Sequence, residues 1–216
     1  MKMNLDEIKD YVQTMTRNDA SGHDFLHLER VLKNAEQIMQ KMPDQDFDTD
    51  VVRITALLHD LIDDKLIDDV NQAIDDLRIQ MREWGLSDDE RAAVLEIMTH
   101  MSYSANLEQH YTLSLEGQIV QDADRLDAIG ALGIGRTFMY GGHAGNLMYN
   151  PNEEVRTDLT HNEYRKNSTV INHFYEKLLK LADLMNTESA KKIAKRRTAF
   201  MEFFLEEFKA EVRGER

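Results

Sequence analysis

His59 and Asp60 stand side by side directly after the apolar pair Leu57-Leu58. An imidazole and a carboxylate there offer a nitrogen donor and an anionic oxygen donor from one short piece of chain. His27 offers a second imidazole. It opens His27-Leu28-Glu29-Arg30-Val31, and Val31 is one helical turn further on, so His27 lies beside an apolar stripe rather than opposite it. Asp124 offers a second carboxylate. It sits in Asp122-Ala123-Asp124-Arg125-Leu126-Asp127, with apolar Ala123 and Leu126 on its flanks. Buried carboxylates are costly unless paired or metal-bound. His27, His59, Asp60 and Asp124 together give two imidazoles and two carboxylates from three segments. That mixed N/O set suits one divalent ion among Mn, Fe, Co, Ni, Zn and Mg. Four ligands leave positions open for water and substrate. Plainer readings exist for each part: His59 as a helix-terminal histidine, and the acidic run as a solvated face. The solvated face suits Asp122 and Asp127 better than Asp124.

The elements that must position these residues are helices. The chain has 216 residues and only two prolines, Pro43 and Pro151, and proline scarcity permits long helices. Apolar residues recur at helical spacing in Leu5–Met15, Leu28–Met39, Val51–Leu61, Val70–Met81 and Ile119–Leu126. Gly85 reads as a stop, and Ser87-Asp88-Asp89-Glu90 as a capping box opening a helix through Met98. Six of the ten glycines fall between Gly130 and Gly145, which predicts a loop or broken helix there. Val170 to Met185 predicts one long helix, and Ile193 to Phe208 the last. No convincing alternating strand is present. The expected architecture is all-α, a single domain over 1–216. Its core spans about 20–130, a glycine-rich loop region about 130–160, and a C-terminal helical hairpin about 162–212.

Composition narrows the function. There is no cysteine, which removes disulfides, thiolate zinc sites, iron–sulfur clusters and cysteine nucleophiles together. The chain carries 26 basic and 40 acidic residues, a net charge of -14, and such a surface repels nucleic-acid backbones and anionic lipids. A small phosphate ligand remains compatible, because a bound cation reverses the local field. No signal-peptide-like run and no membrane-length apolar run is present, so the cytoplasm is the expected location. Neither nucleic acid nor membrane is an expected partner. The oligomeric state is not readable.

The ordered pattern of His27 in H-x-x-R-V, His59-Asp60 after an apolar run, and Asp124 in A-D-R-L-D resembles the HD superfamily of metal-dependent phosphohydrolases. Ser21-x-His23-Asp24-x-x-His27, the stretch Val120–Phe138, Gly141-Gly142, and H-F-Y-E-K-L-L from His173 are similar to a bacterial subgroup of small single-domain HD hydrolases. The resemblance covers nearly the whole chain. It implies the all-α HD-domain bundle and cleavage of phosphate esters or anhydrides. Some members of that subgroup release pyrophosphate from nucleoside triphosphates, deoxynucleotides above all. The substrate expected here is therefore a nucleoside triphosphate, split to monophosphate and pyrophosphate.

On a continuing helix, Asp63 lies one turn beyond His59 and shares its face. The resemblance implies that an acidic residue at this spacing handles the nucleophilic water. In the family it is usually Glu, and here it is Asp, with Asp64 able to share the task. Lys65 and Arg125 adjoin the proposed ligands and are candidates to hold the phosphate chain, with Arg136 and His23 beside them. His100 is a candidate ligand for a second metal, but the second histidine usual in such sites is missing, and one metal is expected. Three rival functions stay open: a nucleotide monophosphatase, a metal- or nucleotide-binding sensor without turnover, and a di-metal oxygenase that would need His100.

Overall fold

The computed structural model describes residues 4–17, 22–62, 67, 69–107, 109–157, 159–164 and 166–215. Among the described residues every regular element is helical, as the periodicity predicts. In chain order they are α1 (Leu5–Met15), α2 (Phe25–Met39), α3 (Thr49–Leu58), a 3₁₀ turn at His59–Ile62, α4 (Val70–Glu83) and α5 (Asp88–His100). A short 3₁₀ turn at Ser104–Asn106 leads to α6 (Leu115–Asp127) and α7 (Gly130–His143). Then come α8 (His161–Tyr164), α9 (Val170–Glu176), a 3₁₀ turn at Leu178–Lys180 and α10 (Glu188–Val212). No helix among the described residues is long and apolar enough to cross a membrane. The chain forms two compact units, residues 1–123 and 124–216.

In the first unit α3 is the hub, packed against α1, α2 and α5. Its sequence explains that position. Val51, Val52 and Ile54 to Leu58 are all buried, and a helix apolar on every side must be surrounded. Side-chain caps start the helices where the sequence offers them. Asp24 caps α2, Asp48 caps α3, Asp69 caps α4, and Ser87 with Glu90 forms the expected capping box on α5. Each such cap is worth about 1 kcal/mol. Gly85 ends α4 at φ +88°. The Leu86 N–H donates to the Met81 carbonyl and the Gly85 N–H to the Arg82 carbonyl, a glycine stop that side chains with a Cβ resist. Both α4 and α5 pack on the His59–Ile62 turn.

The second unit is built on α7 packed against α10, with α9 against α7. Here the glycine-rich stretch departs from expectation, because residues 130–143 are one helix. Two of the glycines, Gly133 and Gly141, serve close approach rather than a loop. A Cβ on Gly133 would lie 2.3 Å from the Ala128 carbonyl oxygen, and one on Gly141 2.3 Å from Cγ2 of Val170. The long helix expected over 170–185 breaks at Lys177 (φ -134°, ψ -62°). Leu178, Leu181 and Met185 are nevertheless buried. Apolar residues spaced three or four apart serve a 3₁₀ turn as well as an α-helix, so the spacing alone does not mark the break. Arg156 reaches back to Glu176, with Nη2 2.6 Å from Oε2 and Nε 2.8 Å from Oε1. That bidentate pair tethers the irregular segment ahead of α9.

Candidate metal centre

Three pieces of the first unit converge on one point. The chain just before α2 brings His23, the first turn of α2 brings His27, and the turn after α3 brings His59 and Asp60. Asp24 fixes the start of α2, its carboxylate accepting the His27 N–H at 2.8 Å. With α2 so started, His27 points inward and is fully buried. His59 and Asp60 are carried inward because the last turns of α3, Ile54 to Leu58, are buried throughout and the chain tightens into a 3₁₀ turn where the helix ends.

Asp60 is the centre of the cluster. Its Oδ2 lies 2.8 Å from Nδ1 of His23 and 3.2 Å from Nε2 of His27, and its Oδ1 lies 3.3 Å from Nε2 of His59. The rings of His27 and His59 are 5.4 Å apart, centroid to centroid. Burial pushes the Asp60 carboxyl up, but the charges of His59 and His23 and hydrogen bonds from His23 and His27 outweigh it. Asp60 is held well below the usual carboxylate range, so it is an anion at neutral pH.

The donor set fits a divalent ion. Nδ1 of His59 lies 3.1 Å from the Ala56 carbonyl. A carbonyl only accepts, so Nδ1 donates its N–H, which leaves Nε2, turned towards Asp60, as the ring nitrogen that can exchange its proton for a metal. A histidine whose far nitrogen is held by a carbonyl is a typical oriented metal ligand. Metal bonds of about 2.0–2.2 Å place neighbouring ligand atoms about 3 Å apart, close to the 3.2 and 3.3 Å separations found here. His23, His27 and Asp60 each present a ligand atom within 4.8 Å of the others. The cluster is buried except at His23, whose side chain is 25% exposed.

The other predicted site residues fall as follows. Asp63, Asp64 and Lys65 lie outside the described residues. The turn that leads to them is 3₁₀ rather than α. Asp124 lies on α6. That helix is tied to α2 one residue earlier, where the buried Asn34 side chain donates to the Ala123 carbonyl at 3.1 Å. Arg125 is buried and donates to the Leu184 carbonyl, and Arg136 pairs with Asp127 at 2.8 Å. His100 sets Nδ1 on the Glu96 carbonyl at 2.9 Å and packs its ring on Tyr111.

The solvated face expected for Asp122 and Asp127 is not found. Both are fully buried, while Asp124 is half-buried. Helical phase is the reason, since Asp122 follows Ile119 by three residues and Asp127 follows Ala123 by four, and Ile119 and Ala123 are both buried. Two contributors were not singled out from the sequence. Asn34 is a polar residue inside the stripe Val31, Ala35, Ile38, two turns from His27, and that was its signal. Asp24 showed as a capping residue three positions before His27.

The HD domain family matches residues 25–129. The Bacillus subtilis protein YpgQ is 36% identical over 211 residues, which is 97% of this chain and 94% of YpgQ. The chain belongs to the HD domain family. Among solved structures, a Lactobacillus plantarum protein superposes with a TM-score of 0.88 at 41% identity, covering 97% of each chain. An HD-superfamily hydrolase from Bacillus thuringiensis gives 0.74 at 37% identity over 97% of this chain and 96% of that one. YpgQ solved in complex with ADP gives 0.77 at 33% identity, covering 99% and 100%.

Proposed function

We propose that this HD-family protein is a metal-dependent phosphohydrolase that splits nucleoside triphosphates, deoxynucleotides among them, into monophosphate and pyrophosphate in the cytoplasm. The observation that carries the proposal is Asp60 ringed by three imidazoles, with Nε2 of His59 turned inward by the hold of Ala56 on Nδ1. His27, His59 and Asp60 would hold one divalent ion, with Asp124 as fourth ligand. The case for Asp124 is its place on α6, one residue past the Asn34–Ala123 tie to the helix that carries His27. A divalent ion in such a site acidifies a coordinated water and draws charge from a phosphoryl oxygen.

The chain's own residues supply the rest. His23 braces Asp60 and stands at the exposed edge of the cluster, where a phosphate chain enters. Lys65, with Arg125, neutralises phosphate charge, which a protein of net charge -14 needs before it can receive a polyanion. Asp63, or Asp64 beside it, accepts and returns a proton. The ADP complex of YpgQ supports a nucleotide as the ligand class.

The test is a panel of ribo- and deoxynucleoside triphosphates and monophosphates, each with Mn²⁺, Mg²⁺, Co²⁺ and Ni²⁺, reading phosphate and pyrophosphate separately. Pyrophosphate release in step with monophosphate is the expected result. Phosphate released from monophosphates alone would make the protein a monophosphatase. Tight binding without release of either product would make it a sensor.

A further inference from the structure

One cavity of the first unit lies away from the Asp60 cluster. It is a groove of about 530 Å³ between α4 and α5, a size ordinary for small-molecule sites. The two helices are joined by residues 84–87 and so form a helical hairpin. The groove's floor is apolar, made by Ile74, Ile79 and Leu95. Ile79 is 52% exposed. Three arginines flank the end nearest the connection: Arg78 and Arg82 from α4, and Arg91 from α5. Arg91 is held in place by Asp88 and the Leu86 carbonyl. Arg78 and Arg82 are different. Neither makes an ion pair or a hydrogen bond among the described residues, although Asp75 and Glu83 share their helix.

Two unpaired guanidiniums one turn apart repel each other and weaken the helix. In a chain with 40 acidic residues, such a pair on the rim of an apolar groove needs a reason. An anion supplies one, because guanidiniums a turn apart can grip one phosphate or two consecutive ones through charge-assisted hydrogen bonds. The opposite end of the groove carries Glu96 and Thr99; the Thr99 hydroxyl donates to the Leu95 carbonyl, so both side chains are acceptors for sugar hydroxyls and base amino groups. A cationic end, an apolar floor and a hydrogen-bonding end match a nucleoside phosphate laid along the hairpin.

We infer that the α4–α5 groove is a second, metal-independent binding site for a nucleoside phosphate, with its phosphates on Arg78 and Arg82 and its base on Ile79 and Leu95. Both helices pack on the His59–Ile62 turn. An occupant that braces the hairpin therefore also braces the turn that holds His59 and Asp60, and the groove is placed to regulate that turn.

The test uses the full-length chain, stripped of metal with a chelator, and ADP as probe in calorimetric titration. The metal-free protein is expected to bind ADP at one molecule per chain. Arg78→Ala/Arg82→Ala should weaken binding at least about tenfold, and Ile79→Glu should do the same by charge repulsion. Adenosine and inorganic phosphate, each lacking half of the pattern, should bind at least about tenfold more weakly than ADP. His59→Ala should leave this binding unchanged. Arg78, Ile79 and Arg82 are exposed, so these variants should keep the fold, and the double alanine variant should melt no lower than the parent. Absence of ADP binding to the metal-free chain would overturn the inference. So would binding that His59→Ala abolishes and Arg78→Ala/Arg82→Ala leaves intact. The readout is independent of turnover, so failure here and failure of the hydrolase proposal are separate results.

Discussion

The two units each bury a carboxylate, and they neutralise it differently. In the first, Asp60 faces the nitrogens of His23, His27 and His59. In the second, Glu176 faces the fork of Arg156 and the hydroxyl of Ser168. Both carboxyls are pushed up by burial and then held below their ordinary range by their partners. The partners decide what else the site can do. A guanidinium has only N–H donors and keeps its charge, so Arg156–Glu176 is a closed pair that ties chain to chain. An imidazole can donate, accept or ligate, so the same burial around Asp60 leaves lone pairs that a metal can use. Permanent partners make architecture, and exchangeable ones make chemistry.

That contrast can be broken at its strongest point first. His59→Ala should lower metal affinity by more than ~100-fold, since even residues that only orient ligands contribute ~10–100-fold. Turnover should vanish with the metal. Metal analysis of the purified variant is the check, and stoichiometric metal at parent affinity would remove His59 from the site.

Asp63→Asn should separate chemistry from metal binding. Turnover is expected to fall ~10²–10⁴-fold, the usual reach of general acid–base catalysis, with metal content and fold retained. Asp64→Asn is the paired control. If Asp64→Asn alone is inactive, the proton role belongs to Asp64; if both are fully active, no carboxylate in this stretch serves the reaction.

Arg156→Ala probes the other region. It removes the bidentate guanidinium from the Glu176 carboxylate, whose side chain is fully buried. Breaking such a pair costs about 3 kcal/mol, read as a lowered denaturant midpoint, while metal binding should be unchanged. A variant that loses metal as readily as it loses stability would erase the distinction between the two regions.

The smallest expected effect is on acid stability. The folded pKa of Glu176 lies below its ordinary value of 4.5. Its contribution is therefore fully present above about pH 4.5 and is lost as pH falls through the folded value. Arg156 keeps its charge throughout, so no loss follows on the alkaline side. Glu176→Gln should flatten the stability curve below about pH 4.5 relative to the parent. An unchanged curve would mean that the acid sensitivity comes from other carboxylates.

Helix existence was legible from residue order alone, because the 3.6-residue period reports which face of each segment is buried. α1, α2, α3 and the capping box on α5 show this directly. The identities of His27, His59 and Asp60 as candidates were legible too, since few side chains can ligate a metal and a cysteine-free chain has fewer still. Periodicity is blind to what glycine does. It marked 130–143 as broken, whereas Gly133 and Gly141 hold a helix against Ala128 and Val170. It is equally blind to the change from α to 3₁₀ at His59, where the chain tightens around the His59-Asp60 pair.

Residue types and spacing by themselves determined an all-helical chain, acidic, cysteine-free and carrying histidine and aspartate donors in order, and the resemblance of those motifs added the HD family. Tertiary structure alone decided that His23 braces Asp60 from 37 positions away and that Asp122 and Asp127 are buried rather than solvated. It also decided that Arg156 closes on Glu176, and that Arg78 and Arg82 border a groove. The reason is physical. A helical pattern fixes the direction of a side chain relative to its own axis, and only the packing of axes against one another fixes what that side chain meets.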